Sequence, residues 1–280
     1  MKLITAFLLP CVLLITGMAH AEWPMSNDPA FDPAVQNPAY PESTGPRILL
    51  DGAHHNFFIQ WDFIEPFASL ARADGYRPVI GEEAFTTEST FTDEEISVLH
   101  DWVDGGGSLL VFSEHAPFDQ AINPLLQRFG MSSSVGYVVD HEHADKSFGK
   151  SGWIVFSREN GLLNIEHPII QGRNENEAID SILTFGGSSL SGEGYTNLFR
   201  LSPTAKNEMH PTGVGPIGMG TSQALAGNFG EGKIVAFGDS NGFTAMVFTE
   251  EDGSTVSAGM NTDHYDWKQL VLNVMHWLSE

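Results

Sequence analysis

Short apolar runs alternate with helical patterns of apolar side chains along the first half of this chain. Three runs have the length and composition of buried strands, at residues 48–51, 76–80 and 109–112. Two stretches between them repeat apolar side chains every three or four residues, as helices do, at residues 63–74 and 92–102. Thr92 and Glu95 have the spacing of a capping box, which predicts that the second helix begins there. This order of elements predicts an α/β fold.

The second half of the chain has a weaker pattern. Residues 131–221 are rich in Gly, Ser and Asn, so we predict an antiparallel elaboration with long loops there. Apolar runs at 225–229 and 233–237, separated by Gly-Glu-Gly, predict a β-hairpin. The chain ends in a helical pattern at residues 267–278. We therefore predict one α/β domain over residues 47–280, with a mainly parallel, flavodoxin-like sheet flanked by helices.

The N-terminal residues predict a targeting signal. Lys2 precedes an apolar stretch that is short for a membrane span, and residues 19–21 read Ala-His-Ala, a small-x-small cleavage site. We predict a signal peptide over residues 1–21 and a periplasmic or secreted protein without a membrane anchor after cleavage; a retained anchor is the alternative. Residues 22–46 contain six prolines and predict an extended leader. The only cysteine, Cys11, lies in the signal, which excludes disulfides and a cysteine nucleophile in the mature chain.

The charge of the chain limits its partners. It has 36 acidic and 13 basic residues, a formal net charge of −23. A nucleic-acid surface needs the opposite sign, so we expect no nucleic-acid partner. The composition, with 18% charged and 41% hydrophobic residues, is that of an ordinary globular protein. Solubility accounts for most of this charge, and the negative field also favours cationic ligands or divalent metals.

Three apolar runs end in ionisable residues, which marks the candidate site. The carboxyl ends of parallel strands meet at one rim of a sheet, where ligands bind. We expect this rim to hold the catalytic candidates Asp51, His54, His55, Glu114, His115 and Asp239. The candidates for substrate binding are Asn56, Ser240 and Asn261. Three interpretations stay open: a divalent metal at His54, Glu114 and His115, a polar ligand site without metal, and a purely structural role.

Three other segments contain residues that catalytic sites use. Residues 140–145 read Asp-His-Glu-His-Ala-Asp, but this alternation favours a solvated hairpin over a metal site. His167 begins an H-P-I-x-x-G turn that resembles one in ThuA-type proteins, and a structural role is favoured for it. Residues 238–240 read Gly-Asp-Ser, as in SGNH hydrolases, but the block comes late and Asp263-His264 has the wrong spacing for the partner pair.

Residues 102–112 resemble the helix, glycine turn and strand of the class I glutamine amidotransferase-like superfamily. That superfamily places a nucleophilic cysteine at the elbow after the strand. Here residues 113–118 contain no cysteine, so glutaminase activity is not expected. Five segments more closely resemble exported bacterial proteins similar to the DUF4350 family: residues 37–41, 51–57, 114–118, 259–261 and 272–278. The connection from Phe85 to Phe91 is shorter than in that group, which leaves the strand count open.

These observations leave two functions open. The first is a hydrolase that acts on a small polar or carbohydrate-like substrate, with or without a divalent metal. Glu114 or Asp51 would then be the general base, with Asp239 as a supporting carboxylate. His54 and His115 would be metal ligands or acids. The alternative is a non-catalytic module that binds a small ligand on a degenerate amidotransferase-like fold.

Overall fold

Small antiparallel and mixed sheets make up most of the fold. The computed structural model describes residues 25–54, 56–60, 62–81, 90–211, 213–250 and 252–280. The helices in these ranges are α1 (Phe57–Gln60), α2 (Glu65–Ala73), α3 (Asp93–Asp104), α4 (Asp119–Arg128), α5 (Pro168–Gln171) and α6 (Trp267–Ser279). Two short 3-10 helices lie at Glu175–Glu177 and Asn241–Phe243. The predicted signal peptide, His55 and Phe85 lie outside the described residues.

The described strands are short, and each has between two and six residues. In chain order they are β1 (Met25–Asn27), β2 (Arg47–Asp51), β3 (Arg77–Gly81), β4 (Ser108–Phe112), β5 (Met131–Ser133), β6 (Tyr137–Val139), β7 (Val155–Ser157), β8 (Ser181–Leu183), β9 (Leu190–Gly192), β10 (Thr196–Asn197), β11 (Lys206–Glu208), β12 (Ala224–Phe229), β13 (Gly232–Phe237), β14 (Ala245–Thr249) and β15 (Thr255–Gly259).

The four-stranded sheet has the order β10-β12-β13-β4 and carries the elements of most functional interest. Strands β12 and β13 form the antiparallel hairpin that the sequence predicts. Strand β13 then pairs in parallel with β4, so that Phe237 lies opposite Phe112. Because the two strands run in the same direction, the residues after Phe112 and after Phe237 leave the sheet at the same end.

The predicted mainly parallel, flavodoxin-like sheet flanked by helices is wrong. Among the described strands, parallel pairing occurs only between β2 and β3 and between β4 and β13. The other pairs are antiparallel: β1–β14, β14–β15, β10–β12, β12–β13, β11–β6, β5–β9 and β7–β8. The reason is the Gly- and Ser-rich middle region, which supplies short strands without the helical crossovers that parallel pairing requires. The description of residues 47–280 as an amidotransferase-like α/β domain is wrong for the same reason.

Individual elements of the first half lie where the sequence predicts them. Helix α3 begins after Thr92, whose hydroxyl accepts a hydrogen bond from the Glu95 backbone N–H at 3.3 Å. The Glu95 carboxylate accepts one in return from the Thr92 backbone N–H at 2.7 Å. This reciprocal pair is the predicted capping box. The local pattern therefore predicts elements correctly even though the predicted sheet is wrong.

Helix α6 supports the end of β13. Trp267, at the start of the helix, is fully buried and donates its indole N–H to the carbonyl oxygen of Leu183 at 2.6 Å. Its ring lies 6.2 Å from that of Phe237 and 5.9 Å from that of Phe243, measured between centroids. Such aromatic packing holds the backbone between Phe237 and Phe243 in one position. The residues directly after β13 are therefore held in place by this packing.

The leader packs along the body. Strand β1 joins the three-stranded sheet beside β14. The Ala39 N–H donates to the buried Asp74 carboxylate at 2.7 Å, and the His276 imidazole bonds the other oxygen of that carboxylate, also at 2.7 Å. The Lys268 ammonium donates to the carbonyl oxygens of Asp32 and Ala34. None of the described helices is long and apolar enough to cross a membrane.

Candidate functional site

Glu114 lies at the turn between β4 and α4 and has a left-handed backbone conformation, with φ of 58°. For a residue with a Cβ atom, this backbone conformation costs about 1–2 kcal/mol, which the surrounding structure must offset. The Glu114 carboxylate accepts a hydrogen bond from the backbone N–H of Ser240 at 2.9 Å and another from the Ser240 hydroxyl. Glu114 and Ser240 thus join the ends of the two parallel strands.

Two glycines allow the backbone to pass closely beside Asp239. A Cβ at Gly187 would lie 1.9 Å from the carbonyl oxygen of Gly238, and a Cβ at Gly238 would lie 2.1 Å from that of Ser188. Real Cβ atoms do not come so close, so these positions require glycine. The Ser188 N–H donates to the Gly238 carbonyl at 2.8 Å across this contact. This close approach of the two backbones fixes the position of Asp239, whose side chain is buried.

Asp239 is a buried carboxyl, with 1% of its surface exposed. Its oxygens accept hydrogen bonds from the backbone N–H groups of Phe185 and Asn241, the latter at 2.9 Å. Burial, reinforced by the nearby Glu114 carboxylate, raises the pKa of Asp239 to about 7. Asp239 therefore exchanges a proton near neutral pH, a range in which ordinary aspartates stay ionised.

His115 follows Glu114, and its ring is partly open to solvent, with 25% of the side chain exposed against 14% for Glu114. Its Nδ1 lies 2.8 Å from the Ala116 carbonyl oxygen. A carbonyl can only accept, so Nδ1 carries a proton and donates it there. The Nε2 atom lies 3.7 Å from Oε1 of Glu114. A proton on Nε2 would make the ring a cation beside the carboxylate, and without that proton Nε2 is a base.

His210 completes the site from a distant loop. Its ring stacks on that of His115, with centroids 4.3 Å apart and planes at 10°. The Tyr137 ring meets His210 edge-on at 5.8 Å. Burial, with the neighbouring His115, lowers the pKa of His210, against the opposing influence of Glu114. Sequence reasoning missed His210, because a lone histidine in a Gly- and Pro-rich loop gives no signal before folding brings it to His115.

Asp119 is a second residue that the sequence did not single out. It lies in the first turn of α4 and is fully buried. Its carboxylate accepts a hydrogen bond from the Gly136 N–H at 3.1 Å. Burial raises the pKa of Asp119, and the charges of His115 and Glu114 also act on it. The only available signal was its position in the helix turn that follows Glu114.

The described contacts join the predicted catalytic candidates in two groups. Glu114, His115, Asp239 and Ser240 are joined as described above. The side chains of Asp51 and His54 form their own pair, with Nδ1 of His54 2.8 Å from the carboxylate. This pair lies at the end of β2, which pairs with β3 and lies in a different sheet from β4 and β13. The two groups therefore follow strands of two different sheets, and their convergence on a single rim stays a prediction.

The remaining binding candidates have local structural contacts. The side-chain carbonyl oxygen of Asn56 accepts a hydrogen bond from the Phe58 backbone N–H at 3.1 Å, at the start of α1. Asn261 donates its side-chain amide to the Asp28 carboxylate at 3.0 Å and to the Met246 carbonyl at 3.1 Å. Asn261 thereby ties the leader to β14, and its role in substrate binding stays a prediction.

The geometry does not assemble a metal centre in the part of the chain that the structure describes. No group of three or more histidine, cysteine, aspartate or glutamate side chains in these ranges could hold a metal ion. Of the predicted ligands, Glu114 and His115 are neighbours, while His54 bonds Asp51. The described side chains of the Glu114 group favour proton transfer and hydrogen bonding instead.

Two other histidine segments have structural contacts. Asp140 is buried, and it accepts hydrogen bonds from the hydroxyl groups of Ser202 and Thr204 and from the His143 ring. The loop at 140–145 is therefore organised around Asp140, and only part of it is solvated as predicted. His167 caps α5 by accepting the Ile169 N–H at 3.2 Å, and burial lowers its pKa to about 4. These contacts agree with the structural role favoured for His167.

Comparisons with known proteins identify a similar fold. No family model and no curated protein matches the chain. The solved structure of the mmIFT52 N-terminal domain is similar, with a TM-score of 0.59 and 17% identity, over 83% of this chain and 96% of that chain. A ThuA-like protein from Bacteroides uniformis ATCC 8492 aligns over 90% of this chain and 95% of its own, with a TM-score of 0.45 and 13% identity. The first similarity defines the fold class, a sheet-rich domain like that of the mmIFT52 N-terminal domain.

Proposed function

We propose that the group formed by Glu114, His115, Asp239 and Ser240 is the acid–base site of a hydrolase for a small polar or carbohydrate-like substrate. One observation carries the proposal: Glu114 has a strained backbone at a strand end and lies beside a buried carboxyl with a pKa of about 7. Strained residues cluster at functional sites. A buried carboxyl group with a raised pKa beside a second carboxyl group is typical of acid–base sites.

Each residue has a role that follows from its contacts. Glu114 would remove a proton from a water molecule that attacks the substrate, because its carboxylate is oriented by Ser240 and remains partly accessible. His115 would donate a proton from Nε2 to the leaving group, because Nδ1 is already committed to the Ala116 carbonyl. Asp239 is too buried to touch the substrate. Its charge would instead change the field at Glu114 when it gains or loses its proton.

The experiment measures hydrolysis of p-nitrophenyl acetate and of a panel of p-nitrophenyl glycosides. We expect turnover by the parent and a loss of roughly 100-fold or more in Glu114→Gln, within the usual contribution of a general base. His115→Gln should lose less activity than Glu114→Gln on these substrates, because p-nitrophenolate leaves without needing a proton. Glu231→Gln is the matched control, because Glu231 is exposed in the turn between β12 and β13. Equal rates in Glu114→Gln and Glu231→Gln, with both proteins folded, would exclude Glu114 as the base.

A ligand-binding module is the second candidate function, and one observation favours it. Both oxygens of Glu114 already accept hydrogen bonds, Oε2 from Ser240 and Oε1 from the His115 backbone N–H at 3.3 Å. A carboxylate held this way suits the recognition of hydroxyl groups on a ligand. If no p-nitrophenyl substrate is turned over while a methyl glycoside raises the melting temperature of the parent but not of Glu114→Gln, the binding function replaces the hydrolase.

A further inference from the structure

Four exposed apolar side chains lie on segments that are connected to the Glu114 group, and we call them the apolar collar: Phe118, Met209, Ile217 and Met219. Their exposed fractions are 53%, 58%, 66% and 44%. The described ranges contain nine large apolar residues with exposure of this kind, and four of them belong to the collar. Single exposed apolar residues are ordinary on a protein surface, but a concentration beside a polar site indicates binding.

Contacts among three chain segments bring the collar together. The Phe118 ring lies 5.7 Å from that of His115, which in turn stacks on His210 next to Met209. The second connection runs through residues 134–137. The backbones of Val135 and Ile217 exchange two hydrogen bonds, at 2.8 and 2.7 Å.

The same middle segment also reaches the turn after β4 and the last member of the collar. The Ala116 N–H donates to the Gly136 carbonyl at 2.9 Å. Ser134 bonds Ser189, whose hydroxyl also contacts the sulfur of Met219 at 3.7 Å. The segments that carry the four collar residues are therefore connected to those that carry His115 and His210.

Charge restricts what the collar and the site can bind together. The Glu114 carboxylate acts electrostatically on both Asp119 and Asp239, so that acidic groups are concentrated at this site. The whole chain has a formal net charge of −23. An anionic head group would be repelled at this place, whereas a neutral or cationic one would not. The apolar part of the same molecule would cover side chains that are now exposed to water.

We propose, on the basis of the proposed function, that the ligand of this site is a neutral amphiphile: a carbohydrate-like polar group at Glu114 and His115, and an alkyl or aryl portion on the apolar collar. The hydrophobic effect provides the affinity for the apolar portion and the polar group provides orientation. Each methylene buried on the collar contributes about 0.8 kcal/mol, or roughly a fourfold gain in affinity.

The experiment compares the binding of methyl β-D-glucoside and octyl β-D-glucoside, below the micellar concentration, by calorimetry. We expect octyl glucoside to bind the parent at least ten times more tightly than methyl glucoside. Met209→Ser and Ile217→Ser should each remove most of this difference, since both side chains are largely exposed and their replacement leaves the core intact. Ile165→Ser is the matched control, because Ile165 is an exposed apolar residue in the loop before α5.

The outcomes separate this inference from the proposed hydrolysis. If the parent binds octyl glucoside and Ile217→Ser binds it more weakly, the result supports ligand binding at the apolar collar, even if no substrate is hydrolysed. Equal binding by the parent, Met209→Ser and Ile217→Ser, or no binding of octyl glucoside at all, overturns it. Decanoate that binds as tightly as octyl glucoside overturns the requirement for a neutral head group. Tighter binding of methyl glucoside by the serine variants would also overturn it, since the collar would then be a lid over the site.

Discussion

The imidazole rings of His115 and His210 lie face to face, with their centroids 4.3 Å apart and their planes at 10° to each other. Two protonated rings at this separation would repel, so the stack favours at most one positive charge. The Nδ1 contact with Ala116 fixes the ring of His115 on one side, and His210 covers one face of it. The direction of Nε2 toward Glu114 therefore depends on a residue 95 positions further along the chain.

Replacing His210 tests the stack. We expect His210→Ala to lower the free energy of unfolding by about 1 kcal/mol, the usual contribution of an aromatic pair, whereas His210→Phe retains the stacking and most of the stability. Urea unfolding at pH 7.5 measures both. An alanine variant as stable as the phenylalanine variant would show that the ring contact contributes nothing to holding His115.

Glu114 provides a second test, because its backbone is strained at φ of 58°. Glu114→Gly and Glu114→Ala both lose the hydrogen bonds to Ser240, but only glycine adopts this conformation without cost. We expect the glycine variant to be more stable than the alanine variant by about 1 kcal/mol, measured by chemical unfolding. The usual order, with alanine the more stable, would mean that the turn after β4 relaxes once the carboxylate is gone.

Asp239 should make the protein less stable as the pH rises toward neutral. The pKa of Asp239 is about 7 in the folded protein, against 3.8 for an ordinary aspartate, which we take for the unfolded chain. Between these two pH values the folded state therefore binds more protons than the unfolded state. The free energy of unfolding then falls as the pH increases. The fall is at most about 1.4 kcal/mol for each pH unit between the two pKa values.

Asp239→Asn removes this titration while its side-chain oxygen keeps one hydrogen-bond acceptor. We expect the melting temperature of the parent to fall relative to that of the variant between pH 4 and pH 7.5. A constant difference between the two proteins over this range would contradict a raised pKa at Asp239.

His167 should have the opposite dependence. Burial lowers its pKa from 6.5 to about 4, so between these values the unfolded chain binds the extra proton. Stability contributed in this way is present above pH 6.5 and is lost as the pH falls toward 4. His167→Asn keeps a good N-cap for α5 and removes the titration. Melting curves from pH 7 to pH 4 should show a smaller loss for the variant; parallel curves would exclude His167 as the cause.

The local elements of the fold were predictable because their signals lie within a few residues of one another. The capping box of Thr92 and Glu95 and the hairpin around the turn at 230–232 are examples. The sheet was not predictable in the same way, since pairing joins distant segments such as β11 with β6. Apolar content in short runs does not distinguish a parallel from an antiparallel neighbour.

The candidate site was predictable in part for the same reason. Glu114 and Ser240 follow apolar runs whose strands do pair, so their proximity follows from the pattern. His54 follows an equally good run, but that strand pairs with β3 in another sheet. His210 had no pattern at all, because its position depends on a loop contact with His115.

The contacts of the leader have a consequence for the order of folding during synthesis. Ala39 depends on the carboxylate of Asp74, which His276 also bonds, and Asp32 and Ala34 depend on Lys268. Lys268 and His276 belong to α6, which is synthesised more than two hundred residues after the leader. The leader can therefore complete these contacts only after α6 has been synthesised, and a ribosome stalled before residue 267 should hold it in a protease-sensitive state.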